Sequence, residues 1–118
     1  MKKRAKIIHF LIRIFNFESF VITLYIVTNY EIIKKLIPLH TSYNHPSIRK
    51  VKRDSAFFEL DISDYMQWHI WAGIKDLSWE FATSSCKSNC TILDIGANVG
   101  AFCIKTGAFL VNNNIDST

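Results

Sequence analysis

The residues of this chain best suited to binding chemistry lie in one short run, Asp94-Ile95-Gly96-Ala97-Asn98-Val99-Gly100. Glycines at both ends of such a loop let backbone amides approach a ligand closely, because no side chain fills the turn. A strand that feeds a helix through a glycine loop presents those amides at its carboxyl end, where open parallel sheets bind ligands. The spacing then restricts the ligand. A dinucleotide fingerprint needs G-x-G-x-x-G, and the loop reads G-A-N-V-G. A Walker phosphate loop must close on Gly-Lys-Ser/Thr, whereas Ala101 and Phe102 follow Gly100. Both nucleotide-loop readings fail, which leaves a loop of small residues behind a strand-end carboxylate, Asp94.

Other reactive side chains are less well arranged. Cys86, Cys90 and Cys103 form an odd set in a chain without a small secreted pattern, so no disulfide framework is expected. Cys86 and Cys90 stand four apart with no second Cys or His pair, and no metal site is expected. His40 and His45 sit five apart in a polar stretch without a third ligand and read as surface histidines. The sequon Asn89-Cys90-Thr91 runs into an expected buried strand and reads as chance. The basic cluster Arg49-Lys50-Val51-Lys52-Arg53 lacks interleaved aromatics, so nucleic acid is not an expected partner.

The elements that must position the loop follow from periodicity. Thr91-Ile92-Leu93-Asp94-Ile95 suits a strand buried on both faces, as in a parallel sheet. After the loop, Phe102, Ile104, Lys105, Ala108, Phe109 and Leu110 predict a helix with an apolar stripe. Upstream, Phe58, Leu60 and Ile62 alternate with Glu59 and Asp61, the period of a half-buried strand. Asp64 with Gln67 three residues on forms a capping pattern for a helix carrying Tyr65, Trp68, Ile70 and Trp71 and ending near Gly73. A further helix is expected from Ile74 to about Thr83. Tyr65 and Trp68 could edge a pocket, but an aromatic stripe at helical spacing reads first as core.

Residues 5 to 37 read as one broken or two helices, with the pattern interrupted at Asn16 and Pro38 expected to stop the second. The expected organisation is a basic amphipathic helical segment over 1–38, a linker over 39–54 and the beginning of an α/β domain over 55–118. Charge divides the same way: residues 1–53 hold 11 Lys and Arg against 2 acids, and residues 54–118 hold 3 against 8. The longest uncharged stretch in the first segment, Ser19 to Tyr30, has twelve residues, too few for a span of roughly 20. A helix lying on a membrane surface is compatible with that composition, as is a helix packed on its own protein. An apolar content of 49% with 20% charged residues fits a folded chain.

The stretch ILDIGANVGAF, Ile92 to Phe102, resembles the first motif of the FkbM-type S-adenosylmethionine-dependent methyltransferases. The segment FELDISDYMQWHIWAG, Phe58 to Gly73, resembles what that family carries before the motif. The resemblance covers roughly residues 55 to 111, about half the chain. It implies a class I, Rossmann-like methyltransferase domain, here truncated and preceded by the helical segment. It implies S-adenosyl-L-methionine as cofactor, with Asp94 ordering the loop and Gly96, Ala97, Asn98 and Gly100 lining its methionine moiety. The implied reaction is methyl transfer to a hydroxyl of a sugar or small metabolite, so the implied partner is a small-molecule or glycan acceptor. The ribose-binding carboxylate, expected about 20 residues past the loop, falls beyond Thr118, Asp116 being a poor substitute. No catalytic residue is assigned, and the chain alone is expected to be inactive. The alternative expectation is a non-enzymatic membrane-surface or partner-docking protein with a vestigial motif. A reducing cytoplasmic setting, with peripheral membrane contact through the N-terminal segment, suits either.

Overall fold

A computed structural model describes residues 2–86, 89, 91–95, 98 and 100–115, with side chains from residue 6 onward. Six α-helices and a two-stranded antiparallel hairpin make a mixed α/β chain among these residues. Helices α1 (Lys2–Ile14), α2 (Glu18–Thr28) and α3 (Glu31–Lys34) lead to a 3-10 turn at His40–Ser42. Strands β1 (Ile48–Arg53) and β2 (Ala56–Asp61) follow, then α4 (Tyr65–Trp71), α5 (Leu77–Ser85) and α6 (Ala101–Asn112). The chain divides into two units, Met1–Arg49 with Leu60–Ile74 and Lys50–Glu59 with Lys75–Thr118.

The first unit is built from α1 to α4. The helical break expected at Asn16 is present, and Asn16 adopts a left-handed backbone at φ 53°. Asparagine tolerates that conformation better than other side chains, which makes it a natural stop. Helix α2 ends at Thr28, ten residues before Pro38, because Asn29 turns left-handed and its N–H bonds the Tyr25 carbonyl. Pro38 is therefore not the terminator. It is buried instead, and its carbonyl accepts the indole N–H of Trp68 at 2.8 Å. Ile12, Val21, Ile22, Tyr25, Ile37, Leu60, Ile62, Trp68 and Trp71 are buried in this unit. Asp64 caps α4 by accepting the Gln67 N–H at 3.0 Å, as its spacing predicts. Gln67 does not close the box on Asp64; its Oε1 accepts the Asp61 N–H at 2.8 Å.

Where a linker was expected, Ile48–Arg53 forms β1. The reason lies in the turn and the cross-strand partners. Asp54 and Ser55 both have positive φ, 48° and 67°, the twist that a two-residue hairpin requires. Lys50 then pairs with Glu59 at 3.2 Å, and the Lys52 ammonium lies 5.3 Å from the Phe57 ring centre. Phe58, Leu60 and Ile62 are buried as the alternation predicts, and Glu59 is exposed. Asp61, expected on the outer face, is buried as well.

The second unit holds α5 and α6. Asp76 caps α5, accepting the N–H groups of Ser78 and Trp79 at 3.1 and 3.2 Å. Helix α5 starts at Leu77 and α6 at Ala101, close to expectation. Thr91–Ile95, however, is not a strand. A parallel strand exists only beside another strand, and the hairpin is the only sheet among the described residues. Leu93 and Ile95, expected to be buried, are 80% and 86% exposed. The mixed α/β class stands, and no parallel sheet is seen among the described residues.

Candidate functional site

The loop that sequence singles out runs into the amino end of α6. Gly96 and Ala97, two of its expected ligand contacts, lie outside the described residues. Asn98 and Gly100 are left-handed, at φ 49° and 73°. Gly100 is the residue before α6, and the Ile104 N–H makes the first helical bond to its carbonyl at 3.0 Å. Gly100 has no side chain with which to cap this end. The amides of Ala101, Phe102 and Cys103 therefore have no intrahelical acceptor, and they point along the positive end of the helix dipole. An anionic group such as a carboxylate is the chemistry such an end favours. A Cβ built on Gly100 meets nothing within 4 Å, so the space beside the turn is open.

Asp94 closes the loop on the same helix. Its Oδ2 accepts the Cys103 thiol at 3.1 Å. This hydrogen bond to Asp94, with desolvation and the carboxylate's charge added, raises the thiol pKa above its ordinary value. Cys103 is therefore held as a protonated donor, a poor nucleophile. The bond joins the Asp94 carboxyl to the first turn of α6.

Helix α6 is itself anchored. Lys105 is buried, its ammonium 2.7 Å from Asp54 Oδ2 and 4.6 Å from the centre of the Trp79 ring. Trp79 and Phe109 meet edge to face at 6.4 Å. Burial raises the Asp76 pKa, but the Ser78 hydroxyl, the Trp79 amide and the Lys105 charge outweigh it and hold that carboxyl below its usual range. The cap of α5 and the turn of the hairpin thus share one cation on α6. Sequence reading missed this. The available signal was a lone lysine within an otherwise apolar stripe, since lysine is rarely buried without a partner.

Tyr65 and Trp68 belong to the other unit. Trp68 is buried and serves the core, as its spacing suggested. Tyr65 is half exposed and lies edge-on to His69 at 4.5 Å and to His40 at 5.2 Å. His40 is thus half-buried among aromatics rather than a surface histidine. Burial, then the Lys34 and His40 charges, lower the His69 pKa.

One further cluster brings Ser, His and Asp together. His45 Nδ1 lies 2.7 Å from Asp61 Oδ2 and 3.0 Å from Ser63 Oγ. Asp61 Oδ1 also accepts the Ser63 hydroxyl at 2.7 Å and the Ser47 amide at 2.9 Å. The Ser63 hydroxyl first, then the Ser47 amide, lower the Asp61 pKa to about 2. A nucleophile relay needs the two ring nitrogens on opposite duties, one toward the acid and one toward the hydroxyl. Here one nitrogen faces both groups and the hydroxyl donates to the acid. The cluster is a clasp between the hairpin base and the start of α4. Comparison of the chain with protein families, curated proteins and solved structures returns no match.

Proposed function

We propose that residues 55–118 form the opening of a class I, FkbM-like methyltransferase domain, and that the loop Asp94–Gly100 takes the methionine end of S-adenosyl-L-methionine. The observation that supports this most is the run ILDIGANVGAF coupled to left-handed Asn98 and Gly100 immediately before α6, whose N-cap is a glycine. The support concerns one end of the cofactor. The first-turn amides of α6 suit its carboxylate, and the open side of Gly100 leaves room for its chain. Asp94, tethered by Cys103, sets the distance between the loop's start and the helix. When bound, the cofactor supplies a sulfonium-activated methyl group, and the acceptor in this reading is a hydroxyl of a sugar or small metabolite. Leu93 and Ile95 are the side chains that neighbouring parallel strands would cover.

The test is amide NMR of the chain titrated with S-adenosylmethionine, methionine and adenosine. Contacts at one end predict weak binding, with a dissociation constant of about 1 mM, or roughly −4 kcal/mol. The expected result is shifts at Asp94, Asn98 and Ala101–Ile104 with the first two ligands and none with adenosine. Unmoved amides there, or equal shifts with adenosine, refute the proposal.

A further inference from the structure

Helix α1 is amphipathic in the reverse sense to a helix of a soluble core. Its polar side faces inward: His9 Nε2 lies 2.8 Å from the Lys35 carbonyl, and Arg13 donates to the Ser42 carbonyl. The Arg13 guanidinium also lies 4.9 Å from the centre of the Tyr43 ring, and Ile12 is buried beside this face. Its apolar side faces out. Ile7, Phe10, Leu11 and Ile14 fall at the i, i+3, i+4, i+7 spacing of one helical stripe, and all are exposed. Helix α2 buries Val21, Ile22 and Tyr25 and turns Phe20, Leu24 and Val27 outward, with Phe20 and Val27 66% and 77% exposed. A soluble helix normally turns such a stripe to the core.

The charge around these stripes is mainly positive; the acids there are engaged, Glu18 with Tyr43 and Arg49 and Glu31 with Lys34. Lys2, Lys3, Arg4 and Lys6 open the chain, Lys34 and Lys35 follow the helices, and no acid precedes Glu18. An apolar stripe bounded by cations is complementary to a surface with anionic headgroups above an apolar layer. A second copy of the chain would bring the same cations against each other. No single described helix is long and apolar enough to span; Lys6–Ile14 and Glu18–Thr28 reach that length and composition only as a pair, bent by 114°. At 13 and 11 residues, α1 and α2 are each shorter than a hydrocarbon layer of about 30 Å.

We infer that the outward faces of α1 and α2 seat in the interfacial layer of an anionic lipid bilayer. The inference is independent of the methyltransferase reading. The experiment is co-sedimentation of the whole chain with vesicles of phosphatidylcholine, alone or mixed with phosphatidylserine, at low and high salt. Binding to the mixed vesicles is expected to be about tenfold tighter at low salt, the gap closing as salt screens the charges. Phe10→Ser with Phe20→Ser is expected to weaken it about tenfold, with circular dichroism unchanged because both rings are exposed. Leu93→Ser with Ile95→Ser, which removes exposed apolar surface elsewhere, is expected to leave it unchanged. Equal binding to both vesicle types, or equal loss in the Leu93/Ile95 variant, overturns the inference. So does a dimer that the Phe10/Phe20 variant dissolves in the absence of vesicle binding.

Discussion

Gly100 and Gly107 offer a controlled comparison of backbone conformation, because a Cβ built at either position meets nothing within 4 Å. Packing against the rest of the protein therefore drops out of both substitutions. Gly107 lies inside α6 with an ordinary helical backbone, so Gly107→Ala should stabilise the chain by about 0.5–1 kcal/mol through lost unfolded-state freedom. Gly100 is held at φ 73°, where an alanine Cβ meets its own backbone at a cost of roughly 1–2 kcal/mol. The smaller unfolded-state gain of about 0.4–1 kcal/mol offsets part of that, leaving Gly100→Ala destabilising by about 1 kcal/mol. The two variants should thus differ by roughly 1.5–2 kcal/mol with opposite signs. Urea unfolding followed by circular dichroism measures both, and at this chain length each kcal/mol moves the melting temperature by roughly 3–6 °C. Stabilisation by both alanines would mean that Gly100 relaxes out of the left-handed region at no cost. The argument that the turn into α6 is conformationally demanded would then fail.

Three other outcomes follow from named contacts. The Asp61 pKa is lowered to about 2 in the folded chain against an ordinary value of about 4, so its stabilisation is full above pH 4 and is lost as pH falls toward 2. Asp61→Asn should flatten the loss of thermal stability between pH 4 and pH 2; an unchanged slope would remove the clasp from the acid response. Lys105→Met keeps a chain of similar reach against Trp79 but removes the charge from Asp54, whose side chain is 37% exposed. A double-mutant cycle with Asp54→Asn should return a coupling of about 1–2 kcal/mol, between the exposed and buried limits, and a value near zero would deny the pair its anchoring role. Trp68→Phe leaves the buried Pro38 carbonyl without its donor and should cost about 2–3 kcal/mol in urea unfolding, against under 1 kcal/mol if that bond contributes nothing.

The parts of this fold that were legible in sequence are those decided locally. Asp64 with Gln67, the alternation of Phe58, Leu60 and Ile62, and the break at Asn16 each depend on a few neighbouring residues. Strand β1 was hidden because charged residues occupy both of its faces, and its pairing is decided by Asp54, Ser55, Phe57 and Glu59. The stripe on α1 was readable, but its direction was not. That depends on the Lys35 and Ser42 carbonyls and the Tyr43 ring, 26 or more residues away in the chain. At the loop, spacing pointed to Asp94 and Gly100. The Cys103 and Lys105 contacts depend on how α6 is turned, which no spacing rule states.

Two groups of exposed apolar residues call for different partners. On α1 and α2 they follow a helical stripe on segments whose backbone groups are already bonded within the helix. A bilayer can cover such a surface, because it asks nothing of the backbone. Leu93 and Ile95 instead stand two residues apart in a segment without ladder hydrogen bonds. Lipid offers no hydrogen bonds to non-helical peptide groups, whereas an adjacent strand would offer them and bury both side chains together. The proposed membrane contact and the proposed cofactor loop therefore make separate demands, and removing the outward phenylalanines of the first should leave the amides of the second untouched.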